Sequence, residues 1–259
     1  MDPELVVQIV NYRTRDHLGP CLDGVLADLD DAGVPHRVLV LENGSGDDLR
    51  GLIAGYGGRV ELLERDENRG FGGGHDVLAA AARSRWICCV NPDVTVPRPG
   101  VLRGLLRHGE DPRVVAVGPL LRTADGSPQR WDHGELRGLR AWVARGAGHA
   151  HWRPRRRPVR VAWVSGAFLL LRRSAFEAVG GFDERFFLYK EEEDLCLRLR
   201  AAGGRVIYDP TVAADHVGGV VARRHEHLEA SIALYRQKHV PPRRGAACDW
   251  LYRHVTRRL

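Results

Sequence analysis

The sequence predicts an α/β fold, a mixed and mainly parallel sheet flanked by helices, on three observations. Strand-length apolar runs alternate with helix-period segments over the first hundred residues, the first run is nearly continuous, and helical patterns dominate again at the end of the chain. Regular strand–helix alternation implies parallel strands joined by crossovers, and continuous apolar runs mark strands covered on both faces.

Leu5 to Val10 is apolar except for Gln8 and reads as the first strand. Leu18, Cys21, Leu22, Val25, Leu26 and Leu29 then recur at three and four residues, an amphipathic helix for which Asp16 is the expected N-cap. Arg37 to Leu41 is a second strand, ending in the turn-rich Glu42-Asn43-Gly44-Ser45-Gly46. Val60 to Leu63 is a third, and a glycine-rich loop from Asn68 to His75 leads into a helix over Val77 to Ala82. Trp86 to Val90 is the fourth strand and completes a Rossmann-like half.

From Leu121 to Val159 the pattern fades into Gly, Pro, Arg, His and Trp, with a weak helical stretch near Leu136 to Ala144. So long a patternless stretch is expected to be a functional, flexible loop. Val161 to Arg172 is again strand-like, Ser174 to Val179 a short helix, and a further helix starts near Glu191. Arg205 to Tyr208 is a strand ended by Asp209-Pro210, and helices follow from about Arg223 to His239 and Ala246 to Arg258.

The chain has 259 residues, 44% apolar and 28% charged, which excludes a disordered or fibrous protein. No apolar run approaches bilayer length. The segment MDPELVVQIVNY lacks a basic start and a small-residue cleavage site, so a cytoplasmic protein is expected. The five cysteines have no zinc-type spacing and read as buried thiols. The formal charge is +6, and the basic residues gather in Arg153 to Arg160 and in the tail after Arg236. That charge raises nucleic-acid binding as an alternative, but no recognition motif accompanies it, so no nucleic-acid partner is expected.

Four features carry chemistry. Asp93 follows the fourth strand in Val90-Asn91-Pro92-Asp93, where open α/β sheets bind ligands, and it suits a hard divalent cation; it would equally cap a helix near Pro97. The acidic run Glu191-Glu192-Glu193-Asp194 follows the aromatic turn Phe186-Phe187-Leu188-Tyr189; it reads as a reactive cluster or as a helix-start acidic cap. His216 sits before Gly218-Gly219, free to reach a metal or simply packed. Finally, Asn68-Arg69-Gly70-Phe71-Gly72-Gly73-Gly74-His75 would let a phosphate or sugar approach backbone N–H groups, yet it is neither a dinucleotide fingerprint nor a P-loop.

Together with Val6 to Tyr12, Val40 to Ser45, Val164 to Phe168 and Gly180 to Tyr189, these blocks resemble, over about residues 5 to 219, the inverting family 2 glycosyltransferases of the GT-A fold, especially bacterial rhamnosyltransferase-like members. The resemblance implies a GT-A domain over 1–220, with a nucleotide-binding half (1–110), the flexible loop (121–160) and an acceptor and catalytic half (161–220), and then a basic helical extension (221–259). It implies a TDP- or UDP-sugar donor and, through Asp93 and His216, a divalent manganese or magnesium ion on the diphosphate. Asn91 stands where many relatives carry Asp. Glu42 matches the residue that accepts N3–H of uracil or thymine. Asn11, Tyr12, Asn43, Asn68, Gly70, Phe71, Gly72, Gly73 and Asn91 join Asp93 around the donor.

Glu192 aligns with the family's base, with Glu191 or Glu193 as substitutes if the helix starts differently, and with Asp194 and Arg198 orienting the base or a phosphate. Trp163, Ser165, Gly166 and Arg198 are expected on the acceptor side, where the acceptor is a glycan, a lipid-linked glycan or a small molecule. Relatives often carry Asn at His75, which bears on the donor sugar. A degenerate module that binds sugar nucleotides without turnover is the alternative. Trp152 with Arg153, Arg155, Arg156 and Arg157, and the tail Trp250, Leu251, Arg253, Val255, Arg257 and Arg258, are expected to meet an anionic membrane or a lipid diphosphate, or to be a solvated surface.

Overall fold

The structure, a computed structural model, describes residues 3–220 and 225–256. The chain opens with β1 (Leu5–Asn11), α1 (Arg15–Ala32), β2 (His36–Asn43), α2 (Arg50–Ala54), β3 (Val60–Arg65), α3 (Gly70–Ala81) and β4 (Trp86–Val90). It continues through β5 (Val94–Thr95), α4 (Val101–Leu106), β6 (Val114–Arg122), β7 (His133–Gly134), α5 (Leu139–Gly146), β8 (Val159–Arg160), β9 (Trp163–Val164) and β10 (Phe168–Arg172). The remainder is α6 (Arg173–Ala178), α7 (Glu191–Ala201), β11 (Arg205–His216), α8 (His225–His239) and α9 (Pro242–Leu251).

One sheet runs in the order β3-β2-β1-β4-β10-β6-β11-β5, with β8 added on β11, while β7 and β9 pair separately. The first four strands are mutually parallel, β10 is antiparallel to both neighbours, and β11 is parallel to β6. This is the mixed, mainly parallel GT-A sheet. Because β1 lies between β2 and β4, the crossovers diverge there and leave a crevice at the carboxyl ends of β1 and β4.

Alternation along β1 explains both covering layers. Leu5, Val7 and Ile9 pack with Leu18, Leu22 and Leu29 of α1, whereas Val6 joins Leu39, Leu41 and Leu78 on the α3 side. Each such fully buried aliphatic side chain contributes about 1.5–3 kcal/mol. Gln8 is the polar exception on the α3 face, and its amide hydrogen-bonds Nδ1 of buried His75 at 3.1 Å. His75 therefore belongs to the core rather than to a sugar site, and burial holds its imidazole down at about 3, hence neutral.

Several local expectations change. Thr14, not Asp16, occupies the N-cap position of α1; Asp16 lies in the first turn, where its charge suits the helix dipole. The glycine-rich segment is no loop, since α3 begins at Gly70. Its glycines allow close packing: a methyl group on Gly74 would sit 2.8 Å from Val10 Cγ1, and one on Gly72 2.8 Å from Phe182 Cβ. The strand expected over Val161 to Arg172 is broken by a turn at Ser165-Gly166-Ala167 into β9 and β10.

β11 runs past Asp209-Pro210 to His216, because a register shift between Asp209 and Ala213 absorbs the proline. β6 fills the gap between β10 and β11 with an apolar run of its own. Residues 121–160, expected as a flexible loop, contain β7, α5 and β8 and bury Asp132, His133 and Glu135. α9 starts and stops earlier than Ala246 to Arg258, and Tyr252–Thr256 form a π-helical turn. Arg223, Arg257 and Arg258, and the side chain of Val255, lie outside the described residues. All five cysteines are free and buried, as expected.

Candidate active site

A cavity of about 570 Å³ opens at the crevice. Eight residues expected from the sequence line it: Tyr12 after β1, Asn43 ending β2, Asn68, Gly70 and Phe71 at the start of α3, Asn91 and Asp93 after β4, and His216 ending β11. The turn Phe187-Leu188-Tyr189, whose Phe187 carbonyl accepts the Phe71 N–H, and His227 of α8 also line it.

Asp93 and His216 come together through strand pairing. Antiparallel β5 and β11 set His216 opposite Val94, so Asp93 lies beside the imidazole, with Oδ1 3.4 Å from Nε2. Asp93 Oδ2 accepts the Gly218 N–H at 2.8 Å, so this carboxylate organises the chain after β11 instead of capping a helix. The helix after Pro97 starts at Val101 and is capped by buried Asp28, which accepts N–H bonds from Val101 and Leu102 at 2.9 and 2.8 Å. Burial pushes the Asp93 carboxyl upward, but the His216 hydrogen bond and charge, with the Gly218 N–H, outweigh it and hold it below its ordinary value. Asp93 is thus an anion whose Oδ1 faces a ring nitrogen.

His216 Nδ1 donates to Gln129 Oε1 at 2.8 Å, and Asn91 Nδ2 approaches Nε2 at 3.4 Å. In the imidazolium form Nε2–H faces the Asp93 carboxylate; in the neutral form, with the proton on Nδ1, the Nε2 lone pair and that carboxylate are opposed acceptors, and a cation between them fits both. Among the described residues no cluster of three His, Cys, Asp or Glu side chains exists. Two protein donors nonetheless fit a hard ion whose other ligands are phosphate oxygens and water.

The donor-side asparagines act on the backbone. Asn43 Nδ2 donates to Asn68 Oδ1 (3.0 Å) and to the Gly70 carbonyl (3.1 Å), while Asn68 Oδ1 accepts the Gly70 N–H (2.8 Å). They hold Gly70 at φ +69°, where a methyl group would sit 2.2 Å from the Phe187 carbonyl. Asn11 is buried against Asp47 (2.8 Å) and Thr14 (2.8 Å) and does not line the cavity. Nor do Gly72 and Gly73, which pack within α3, nor Glu42, whose carboxylate accepts the N–H groups of Gly44 (3.1 Å) and Ser45 (2.7 Å) and the Ser45 hydroxyl.

The acidic helix α7 stands beside the cavity. Its approach is strained: Tyr189 and Lys190 both have φ 71°, an unusual conformation for residues with side chains. Lys190 pairs with Glu193 at 2.7 Å. Asp194 is fully buried and meets Arg198 (2.7 Å), Lys238 (2.6 Å) and His239 (2.6 Å). Arg198 also donates to the carbonyls of Val179 and Gly181. Asp194 and Arg198 therefore tie α7 to α8 and to the Gly180-Gly181 turn, which accounts for both side chains structurally. Burial raises the Glu191 carboxyl well above its ordinary value, and the neighbouring Glu192 adds to the effect.

None of Glu191, Glu192, Glu193 and Asp194 lines the cavity itself, and Glu192 stands behind its Phe71 wall. A methyl group on Gly166 would lie 2.7 Å from Phe71 Cζ and 3.7 Å from Glu192 Cβ, so Glu192, Gly166 and cavity-lining Phe71 are packed together. Burial first, and Glu193 second, push its carboxyl up to about 7, and among the described residues its Oε2 has no hydrogen-bond partner. A carboxyl with that affinity for protons suits a general base near neutral pH. Ser165 donates its N–H to the Asp132 carbonyl at 2.9 Å, and its hydroxyl oxygen accepts the Ala167 N–H. Trp163 is core. Sequence reasoning missed Arg13, Val220 and His227 on the cavity wall, and Gln129 behind His216.

A nine-stranded GT-A sheet with a carboxylate and an imidazole at its crevice and an acidic helix alongside defines a glycosyltransferase. Consistent with this, the family model "Glycosyl transferase family 2" matches residues 6–180, and the chain belongs to that family. It is 34% identical over 229 residues to the N-acetylglucosaminyl-diphospho-decaprenol L-rhamnosyltransferase of Mycobacterium tuberculosis, covering 76% of this chain and 72% of that protein. It is 50% identical over 56 residues to the rhamnosyltransferase WbbL of Escherichia coli, covering 22% and 21% of the two chains. Two solved structures share the fold. The mannosyltransferase PcManGT from Pyrobaculum calidifontis in complex with GDP-Man and Mn2+ has a TM-score of 0.67 at 17% identity, covering 98% of this chain and 71% of that one. GalNAc-T7 with UDP, GalNAc and Mn2+ has a TM-score of 0.65 at 13% identity, covering 83% and 44%.

Proposed function

We propose that this glycosyltransferase moves a hexose, rhamnose being the first candidate, from a TDP- or UDP-sugar to an acceptor hydroxyl with inversion at the anomeric carbon. The observation that carries the reading is the opposed pair Asp93 Oδ1 and His216 Nε2 on the cavity wall, with Glu192 packed behind Phe71 on the acidic helix. Asp93 and His216 would hold a manganese or magnesium ion, which when bound offsets charge growing on the departing nucleotide diphosphate. Tyr12, Asn68 and the Gly70 end of α3 orient the nucleotide and sugar. Glu42 would have to turn away from Gly44 and Ser45 to meet the base. Glu192 takes the acceptor hydroxyl proton as the oxygen attacks the face opposite the leaving diphosphate.

The names of both relatives favour a rhamnosyl donor, and that of the Mycobacterium tuberculosis relative a lipid-diphosphate-linked sugar as acceptor. Among the described residues no helix is long and apolar enough to cross a membrane. α5 and α9 expose Leu139, Trp142 and Trp250 beside basic residues, which supports peripheral contact with an anionic bilayer. Liposome flotation of the full chain and of a chain ending at Val240, with and without anionic lipid, tests this; equal recovery in all four tubes ends it.

The activity test is transfer from TDP-rhamnose and a panel of UDP-sugars, with manganese or magnesium, to lipid-diphosphate and free-sugar acceptors. The product's anomeric configuration is read by NMR coupling. Retention at the anomeric carbon, or metal-dependent donor binding with no transfer to any acceptor, defeats the proposal.

A further inference from the structure

Beyond the residues facing the cavity, the geometry points to Gln129 as a positioning residue that fixes the tautomer and direction of His216. The inference rests on the reading of His216 as a metal ligand.

Gln129 reaches His216 through a purpose-shaped hairpin. β6 ends at Arg122, and the chain turns through Thr123 to Ser127, where Thr123 N–H donates to the Ser127 carbonyl at 2.9 Å. The Gln129 N–H then returns to the Leu121 carbonyl at 2.8 Å. The base of this hairpin is fastened to β11 beside the histidine: Arg122 is in register with Asp215 and pairs with its carboxylate at 2.7 Å. Gln129 is thereby carried to the rear of the imidazole, and its Oε1 accepts from Nδ1 at 2.8 Å.

The consequence is chemical. A neutral imidazole has one N–H, and an acceptor held at Nδ1 places that proton there and the lone pair on Nε2. Nε2 is the nitrogen that faces Asp93 Oδ1 and Asn91 Nδ2. An oriented second partner of this kind raises ligand basicity, and its loss typically costs 10–100-fold in metal affinity. The other neighbour, Gly218, leaves room for the arrangement: a methyl group there would lie 3.3 Å from Gln129 Nε2 and 3.6 Å from His216 Cε1. Gln129 is also tied to the acceptor side, because its carbonyl accepts the Asp132 N–H (3.2 Å) and the Asp132 carbonyl accepts that of Ser165 (2.9 Å).

The test compares the full-length wild type with Gln129→Leu, Gln129→Glu and His216→Ala. Long-range 1H–15N NMR of labelled histidine reads the tautomer without metal, and Mn2+ titration followed by EPR in the presence of UDP reads affinity. Gln129→Leu is expected to lose the single Nδ1–H tautomer and to bind Mn2+ about tenfold more weakly or worse, whereas Gln129→Glu, which keeps the acceptor, stays within about threefold of wild type. The Gln129 assignment is overturned if Gln129→Leu keeps the wild-type tautomer and affinity while His216→Ala loses Mn2+. If His216→Ala binds Mn2+ like wild type, the metal reading itself fails, and the NMR spectrum still reports whether Gln129 sets the ring. Thermal melts of all four proteins separate these effects from misfolding.

Discussion

Val94 and His216 are partners in the antiparallel register joining β5 to β11, and this pairing sets the Asp93 carboxylate beside an imidazole from the adjacent strand. The two side chains are 123 positions apart (216 − 93) in the chain, so the site depends on the tertiary fold. Its function is correspondingly sensitive to either partner.

Replacing Asp93 by Ala removes the anionic half of the pair. Donor binding in the presence of Mn2+, measured by calorimetry, is expected to weaken by about 10–100-fold. Because the Asp93 carboxyl is held below its ordinary value, wild-type binding should not depend on this group between pH 5 and 8. Unchanged affinity in Asp93→Ala would remove it from the site.

Glu192→Gln should bind donor and fail to transfer, with kcat lowered by about 100-fold or more. The base works deprotonated, and burial pushes it up to about 7, so wild-type turnover should fall as pH drops below that value. Stability moves the other way. The folded state binds this proton more tightly than the unfolded chain, so the contribution is full below the unfolded value near 4.5 and is lost as pH rises through about 7. Glu192→Gln should therefore melt higher than wild type at pH 8 and nearly level with it at pH 4. A lower melting temperature at pH 8 would contradict the burial argument.

Gly70→Ala meets two obstacles, a left-handed backbone and the Phe187 carbonyl 2.2 Å from the added methyl. A loss of about 2 kcal/mol or more in urea denaturation is expected, together with weaker donor binding as the Phe187 turn is pushed out. A variant as stable as wild type would show that the contact relaxes freely.

Asp194→Ala strips the shared partner from Arg198, Lys238 and His239. About 3 kcal/mol of destabilisation is expected. Burial pushes this carboxyl upward, but hydrogen bonds from His239, Lys238 and Arg198 win and hold it below its ordinary value. Its contribution is therefore present above the ordinary carboxylate range and lost as pH falls through the depressed value. The stability gap between wild type and Asp194→Ala should narrow in acid; a gap constant down to pH 2 would refute this.

The four parallel strands were legible because each has a short apolar run set between helices, buried throughout in β4, nearly so in β1 and largely so in β2, and buried only at Val60 in the edge strand β3, and the acidic helix because its charges sit at its first turn. β6 was not, although equally apolar, since Gly118-Pro119 interrupts it and its sheet neighbours are β10 and β11 rather than the preceding strand. The glycines of α3 misled in an instructive way: glycine reads as loop, yet here it lets a helix press on Val10 and Phe182. Asp93 stood out after its strand, the acidic run after its aromatic turn and His216 beside its glycines, while the metal role of the first and last and the choice of Glu192 within the run came from the resemblance. Gln129 had no local signal at all, because its role exists only once the β6 hairpin reaches a histidine 87 positions away.

The paired left-handed residues Tyr189 and Lys190 behave as a wound spring ahead of the acidic helix, holding roughly 1–3 kcal/mol each. The latch is α8, where Ser231 donates to the Leu188 carbonyl at 2.9 Å and Lys238 and His239 grip Asp194. A chain cut at residue 220 would keep its sheet and the floor of its crevice but lose the latch. Glu192 would then be free to swing out of register with whatever the crevice holds.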